Sequence, residues 1–442
     1  MVIPAFIINL EERADRLKHI VQQFANRPEF QLTIFKAIKD PAGAAGLWQG
    51  IVKIVSIAEQ QNLDLVLICE DDHEFTVFYS KEHLLDCITE AKDNRADILL
   101  GGVSSLHGAL SVAKSVFWTD GFTGLQFTII FNRFFKHILS EHPAGAYAAD
   151  HRISALSENK FFIHPFISVQ KEFGYSDVTI ANNEEGRVTD LFAKASQTVC
   201  YLQTVREYYS EKTADIGGYD EEWENINIPT YIINLPKRRD RLLHIYGQFA
   251  GRKEFAINII KAIEHNIGAV GLWLTIRKIV QMAIDDNEDL IIICEDDHEF
   301  TSSYSRDFLL KNIIEAHHQN ADVLSGGIGG GFRHALPVSE NRFWVNHFFC
   351  TQFIVIYRKF FDKILSEHFD NSVTADDAIS MLTSHKMVLY PFISIQKDFG
   401  YSDVTVSNDQ KKGLISYLFE HGASKLALHK SMHEKFSCYR NY

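Results

Sequence analysis

The chain has 442 residues, 46% hydrophobic and 23% charged, with a formal net charge of −13 at pH 7. That length carries two or three domains with ample core, and the acidic balance excludes a general nucleic-acid binder, which presents a basic stripe. None of the six cysteines forms a C-x-x-C pair, so they read as reduced thiols of a cytoplasmic protein. No apolar stretch reaches the roughly 20 residues that span a bilayer, which leaves at most a peripheral contact with a membrane.

AFIINL at Ala5 to Leu10 reads as a short apolar strand. Leu17, Ile20, Val21 and Phe24 follow at helical spacing. FQLTIFKAI is a second strand, and Leu47, Ile51, Ile54, Val55 and Ala58 form one face of a second helix. LDLVLIC is apolar without alternation, which predicts a strand buried on both sides. It runs straight into Glu70-Asp71-Asp72-His73. A helix ending near Asp93, strands ADILLG and LQFTIIF, helix NRFFKHILSEH and strand FFIHPFIS complete the series.

The whole series is then written again. IPAFIINLEERADRLKHI from Ile3 returns as IPTYIINLPKRRDRLLHI from Ile228, a displacement of 225 residues. ICEDDHEF occurs twice, at Ile68 to Phe75 and at Ile293 to Phe300. After a one-residue length difference the displacement becomes 226, so that Trp118 matches Trp344 and Asp150 matches Asp376. A period this long means tandem domains. Alternating strands and helices predict an α/β fold: two Rossmann-like domains with mostly parallel central sheets. The expected bounds are residues 1–205 and 228–429, with a connector at 206–227 containing Gly217-Gly218 and Asp220-Glu221-Glu222, and a mildly basic tail at 430–442.

In open α/β sheets ligands bind beyond the carboxyl ends of the strands, where the triplets Glu70-Asp71-Asp72 and Glu295-Asp296-Asp297 fall. Buried carboxylates need cations or hydrogen-bond donors. One reading is a Mg²⁺ or Mn²⁺ site clamping a pyrophosphate; the other is a solvated acidic turn. His73 and His298 are either ligands or hydrogen-bonded structural residues. Arg13 and Arg16, at a strand-to-helix junction, either face phosphate beside the helix N-terminus or form a solvated first turn. Gln170-Lys171 and Gln396-Lys397, with Ser176-Asp177 and Ser402-Asp403, either close the site or make a plain turn. Trp118 and Trp344 either stack on a sugar or anchor the core. The run Gly326-Gly327-Ile328-Gly329-Gly330-Gly331 lacks the Lys-Ser/Thr of a P-loop and reads as a mobile loop.

IINLxxRxDRLxHI, the strand ending in E-D-D, the later A-D-x-L-x-G-G and the closing P-F-I-S-x-Q together resemble glycosyltransferase family 25, over nearly all of both repeats. The resemblance implies a GT-A-like fold, a UDP-sugar donor, a divalent metal (Mn²⁺ or Mg²⁺) bound through a D-x-D-like motif, and inverting transfer. By that likeness Asp72 and Asp297 touch the metal, and Glu70 and Glu295 lie nearer the ribose. Asn9, Arg13 and Arg16, with Asn234, Arg238 and Arg241, border the nucleotide. Asp150 and Asp376 match an acidic position of the family. Two departures bear on acceptor identity and activity. A Ser-His pair is replaced by Gly50-Ile51 and Thr275-Ile276, and a His-Ala-Tyr element by Gln126-Phe127-Thr128 and Gln352-Phe353-Ile354.

Inverting transfer needs a base on the face opposite the leaving diphosphate, so a carboxylate separate from the metal site is required. Asp150 and Asp376 are the candidates, or else they cap the following helix. Asp377 is a further candidate in the second repeat, where the first carries His151. The expectation is transfer of a hexose, galactose being the family's commonest choice, to a glycan or glycolipid acceptor such as a lipopolysaccharide precursor. Two other readings stand. A sugar nucleotidyltransferase would carry a glycine-rich basic loop after its first strand, where this chain has Glu11-Glu12-Arg13 and Pro236-Lys237-Arg238. The last is a glycan-binding or scaffold protein with one or both domains inert.

Overall fold

The computed structural model describes residues 1–40, 43–141, 148–175, 180–212, 225–369, 372–400 and 413–437. The chain forms two compact units, Met1–Thr204 with Lys435–Tyr442, and Val205–Glu434. Each is an α/β domain built on an eight-stranded sheet, and the two sheets share one strand order.

In the first unit the strand Leu65–Glu70 lies between Ile3–Asn9, parallel to it, and Phe127–Phe131, antiparallel. Phe30–Lys36 extends the sheet beyond Ile3–Asn9, again parallel. On the other side Ile98–Leu100, Lys160–Ile163, Val116–Trp118 and Leu110–Ser111 follow in that order. The uninterrupted apolar run of Leu65–Cys69 is buried because both neighbours and both faces are covered. Helix Gly43–Gln60 buries Ile51, Ile54, Val55 and Ala58 of the face that the sequence spacing marks, with Trp48 buried where Leu47 is only half-buried.

The sheet is mixed, not mostly parallel. Phe127–Phe131 enters antiparallel between Leu65–Glu70 and Ile98–Leu100. The chain between Leu100 and Phe127 makes only short strands and no crossover helix. It therefore returns from the sheet end at which it left, whereas a parallel partner needs a long crossover.

Two helices lie where a connector and a tail were expected to begin. Arg187–Ser210 and Leu414–Ser437 run across residues 206 and 430. Val188, Phe192, Ala195, Val199, Leu202, Val205 and Tyr209 recur at helical spacing along the first and are buried. The connector's glycines and acids at 217–222 and the tail from 438 lie outside the described residues.

The paired glycines after Ile98–Leu100 are a packing requirement. A Cβ on Gly102 would stand 2.2 Å from the carbonyl oxygen of Ser168, and one on Gly327 would stand 2.0 Å from that of Ser394. The glycine run from Gly326 is correspondingly no mobile loop: Gly326 to Gly329 are buried, and a Cβ on Gly329 would meet Cys350 Sγ at 2.7 Å. Trp118 and Trp344 are core anchors, fully buried, each donating its indole N–H to a backbone carbonyl at 2.7 Å.

Candidate functional site

A cleft of about 1130 Å³ opens in the first unit beyond the carboxyl ends of Ile3–Asn9 and Leu65–Glu70. Its lining includes Arg13, Arg16, Glu70, Asp71, Asp72, Asp150 and Gln170. Residues separated by up to about 160 positions thus converge where the α/β rule places ligands.

Asp71, the middle acid, organises the floor. Asn9 Nδ2 donates to its Oδ2 at 2.9 Å, and Arg16 Nη1 donates to its Oδ1 at 3.1 Å. Arg13 Nη1 lies 3.8 Å from the same oxygen. Arg16 Nη1 also donates to Asp72 Oδ2 at 3.1 Å, and Nη2 donates to the carbonyl of Tyr175 at 2.6 Å. The Arg16 guanidinium lies over the rings of Phe173 and Tyr175, which adds cation–π attraction at a partly desolvated position. Burial works against its charge, but Asp72 and Asp71 hold the proton on more firmly than usual.

The second unit repeats this floor. Asn234 donates to Asp296 Oδ2 at 2.8 Å. Arg241 donates to Asp296 Oδ1 at 3.1 Å and to Asp297 Oδ2 at 2.7 Å. Arg238 lies 3.7 Å from Asp296 Oδ1. Its cleft, of about 310 Å³, is lined by Arg238, Glu295 and Asp296 among others.

Negative charge is in excess on both floors. Burial, then Asp72, Asp71 and Asp150, push the Glu70 carboxyl well above its usual range. Burial raises Asp72 to about 6, with Arg16 opposing. Glu295 is raised to about 8, chiefly by burial and Asp297. Asp72 Oδ1 and Asp297 Oδ1 are buried without a hydrogen-bond partner. Buried acceptors are almost always satisfied, so an orphaned carboxylate oxygen in an over-acidic cleft fits a hard divalent cation with oxygen ligands. Among the described residues no group of three or more His, Cys, Asp or Glu is placed to hold a metal ion by itself. A cation here would take the rest of its ligands from solvent or substrate.

His73 does not belong to that donor set. It is fully buried, its Nδ1 lies 2.7 Å from Ser168 Oγ, and its ring packs on Phe75 and Phe127. Burial holds it well below the usual imidazole range. His298 repeats the arrangement with Ser394 at 2.8 Å.

The strand Ser168–Gln170 pairs antiparallel with His73–Phe75, setting Gln170 opposite His73 and beside the acids. In the second unit Gln396 Nε2 donates to Asp297 Oδ2 at 2.9 Å. The S-x-Q-K segments therefore close on the last acid of each triplet. Ser176-Asp177 and Ser402-Asp403 lie outside the described residues.

Asp150 and Asp376 stand on a separate wall, in the first turn of helices Ala149–Ala155 and Ala375–Leu382. Neither is the N-cap, which is Ala148 in one unit and Thr374 in the other. Each accepts a backbone N–H from a left-handed residue beside it. Gly124, at φ 101°, donates to Asp150 Oδ2 at 3.4 Å, and Cys350, at φ 80°, to Asp376 Oδ2 at 2.7 Å. Asp377 pairs with His347 Nε2 at 3.1 Å and accepts from Thr374 Oγ1 at 2.7 Å. Its counterpart His151 is exposed and lines the first unit's cleft.

No family model and no curated protein matches this chain. Among solved structures it is similar to A197 from STIV, with TM-score 0.29 and 15% identity, over 40% of this chain and 87% of that one. An apo-UDP-glucose pyrophosphorylase matches with TM-score 0.25 and 10% identity, over 46% and 82%. A nucleoside-diphosphate-sugar pyrophosphorylase from Vibrio cholerae matches with TM-score 0.23 and 10% identity, over 43% and 80%. Likeness at this level says nothing of activity.

The sequence reading passed over Asp71 and Asp296 because a D-x-D pattern draws attention to the outer acids. The signal for them was present: Asn9 and Arg16 recur at fixed distances from Asp71 in both repeats, as partners of one buried charge would. It also passed over Gly124 and Cys350. A glycine exchanged for a non-glycine residue conceals the need for a left-handed backbone. No helix among the described residues is long and apolar enough to cross a membrane.

Proposed function

We propose that the chain is a glycosyltransferase of the kind that family 25 exemplifies, binding a UDP-sugar in each unit and moving the sugar to an acceptor hydroxyl. One observation carries the reading. The first cleft gathers a carboxylate floor, Arg13 and Arg16, and Asp150 on a separate helix. A leaving diphosphate needs a cationic partner and an attacking hydroxyl needs a base, and this cleft offers residues for both.

Asp72, or Asp297 in the second unit, would hold a Mn²⁺ or Mg²⁺ ion, which when bound supplies charge neutralisation for the diphosphate, with Glu70 or Glu295 nearer the ribose. Arg13 and Arg16 lie on the leaving-group side, and Arg16 keeps Asp72 oriented. Asp150 receives the acceptor's proton as the acceptor oxygen bonds to the anomeric carbon. The bond from that carbon to the diphosphate oxygen breaks, and UDP departs with the electron pair. The N–H of Gly124, or of Cys350 in the second unit, aims the base without neutralising it. The acceptor reading is a cell-surface glycan precursor and the sugar a hexose.

The test is Mn²⁺-dependent binding and transfer with a panel of UDP-sugars on the full chain. Asp150→Asn combined with Asp376→Asn should abolish transfer while UDP-sugar binding persists. Transfer by that double variant sinks the base assignment, and absence of UDP-sugar binding by the wild type sinks the whole reading.

A further inference from the structure

The floors of the two clefts are the same; the walls beside the proposed bases are not. The residue before the left-handed position is Thr123 in the first unit and Phe349 in the second. The residue after the base is His151 in one and Asp377 in the other. A third difference lies at the start of the long helix that follows each S-x-Q-K segment. Gly186 and Gly413, at φ 81° and 82°, donate to the matching carboxylates Glu172 and Asp398. They are followed by Arg187 in the first unit and by Leu414 in the second.

In the first unit these exchanges put small hydroxyl and basic side chains beside Asp150 and Glu172. Thr123 Oγ1 lies 2.9 Å from Ser104 Oγ, and both residues line the cleft together with His151, Lys171 and Arg187. Arg187 is half-buried, lines the cleft and donates from its side chain to Asn182, which engages one of its five donors. The nearby Glu172 is engaged by the backbone N–H groups of Gly186 and Thr189, at 2.6 and 2.9 Å. These bonds orient Glu172 without neutralising it, and hold its carboxyl below the usual range.

In the second unit the same place carries an aromatic platform. Phe349 remains 42% exposed although it adjoins the residue that donates to Asp376. Its ring is fixed from behind: a Cβ on Gly331 would meet it at 3.0 Å, and His347 meets it edge-on with centroids 5.3 Å apart. Beside it the Asp377–His347 pair offers acceptors and a donor. A fixed, exposed ring next to a carboxylate suits the apolar face and hydroxyls of a neutral sugar, not an anion.

We propose that the two acceptor sites have diverged in charge. The first unit takes an anionic glycan, carrying a carboxylate or phosphate that Arg187 and His151 recognise. The second takes a neutral hexose stacked on Phe349. This rests on the transferase reading only for the word acceptor; the two carbohydrate sites stand on their own geometry.

The test is ligand-observed NMR titration of the full chain with methyl β-glucuronide, glucose 6-phosphate and methyl β-glucoside. Arg187→Leu should weaken at least one of the two anionic probes tenfold or more and leave the glucoside within twofold. Which anion responds distinguishes carboxylate from phosphate. Phe349→Thr should do the reverse. Arg187→Lys should restore part of the anion binding, which a merely structural role for Arg187 would not predict. Equal losses of all probes in either variant, or no binding of any probe to the wild type, overturns the proposal. If the sugars divide as expected but no UDP-sugar binds, the transferase reading falls and the divergence stands.

Discussion

Replacing Arg16 with Met tests whether Asp71 is the hub of the first floor. Arg16 is 5% exposed and bridges Asp71 and Asp72, which lie at 3.1 Å each. Removing one partner of a buried ion pair costs about 3–5 kcal/mol, because the other charge is left uncompensated. Two features hold this variant to the lower end. Asn9 still donates to Asp71, and Asp72 escapes by protonation, since its carboxyl already stands at about 6. The sign of the pH dependence follows. With its cation gone, Asp72 moves further above its unfolded value, so between those values the folded state binds more protons than the unfolded state. Stability then rises as pH falls. Arg16→Met should therefore cost about 3 kcal/mol at pH 7.5 and clearly less at pH 5. Hydrogen exchange of the Leu65–Glu70 amides measures it, with Leu290–Glu295 of the second unit as internal reference. A loss below about 1 kcal/mol, a loss independent of pH, or an equal loss in both strands refutes the hub.

Asp72→Asn and Asp297→Asn should each weaken Mn²⁺-dependent UDP-sugar binding about tenfold or more in their own unit. Titration of the two single variants and the double variant checks this, and unchanged Mn²⁺ dependence in the double variant counts against the cation site. Gly102→Ala should lower stability by about 3 kcal/mol or more, because the close approach is to backbone, which yields less than a flexible side chain; a melting temperature within two degrees of wild type, about what 0.5 kcal/mol gives, would contradict it. Lys160 is buried, donates to the carbonyls of Asp120 and Ser154, and is lowered by burial to about 8. Between pH 8 and its unfolded value near 10.4 the unfolded chain holds the extra proton, so this lysine makes stability rise with pH across that window. Lys160→Met should flatten the rise in urea midpoint between pH 8 and about 9.5, leaving the share of Lys386, which is lowered likewise; an unaltered slope would show that Lys160 is not the group.

Architecture was legible where periodicity and repetition speak. The central strand Leu65–Glu70, the buried face of Gly43–Gln60 and the doubling of the whole domain follow from residue spacing alone. Strand direction was not legible. Whether Phe127–Phe131 runs parallel depends on how the preceding 26 residues cross the sheet, and short strands such as Ser105–His107 carry no period long enough to read. The long helices at 187–210 and 414–437 were missed because charged and polar residues surround their buried stripe. In the site, sequence identified the acids and the arginines but not that they pair with each other. Such a pairing is a fact of side-chain reach across 55 residues, and its one trace in the sequence is that both repeats keep the same separation.

The eight-letter stretch shared by the two repeats now divides by cause. Ile68 and Cys69 are strand core, and Phe75 packs against Phe24, Phe30 and Tyr79. His73 joins the same aromatic cluster and ties the acidic turn to Ser168. Asp71 anchors Asn9 and Arg16. Each of these would be retained by a protein that needed only this fold, so identity of the whole stretch is weak evidence for chemistry. What folding does not explain is Glu70, whose carboxyl burial and its acidic neighbours push well above the usual range, and the unpartnered oxygen of Asp72. A fold indifferent to ligands gains nothing by burying either, and both recur in the second unit as Glu295 and Asp297. The first and third acids are therefore where the proposed chemistry is to be tested, and the acid between them is tied to Asn9 and Arg16.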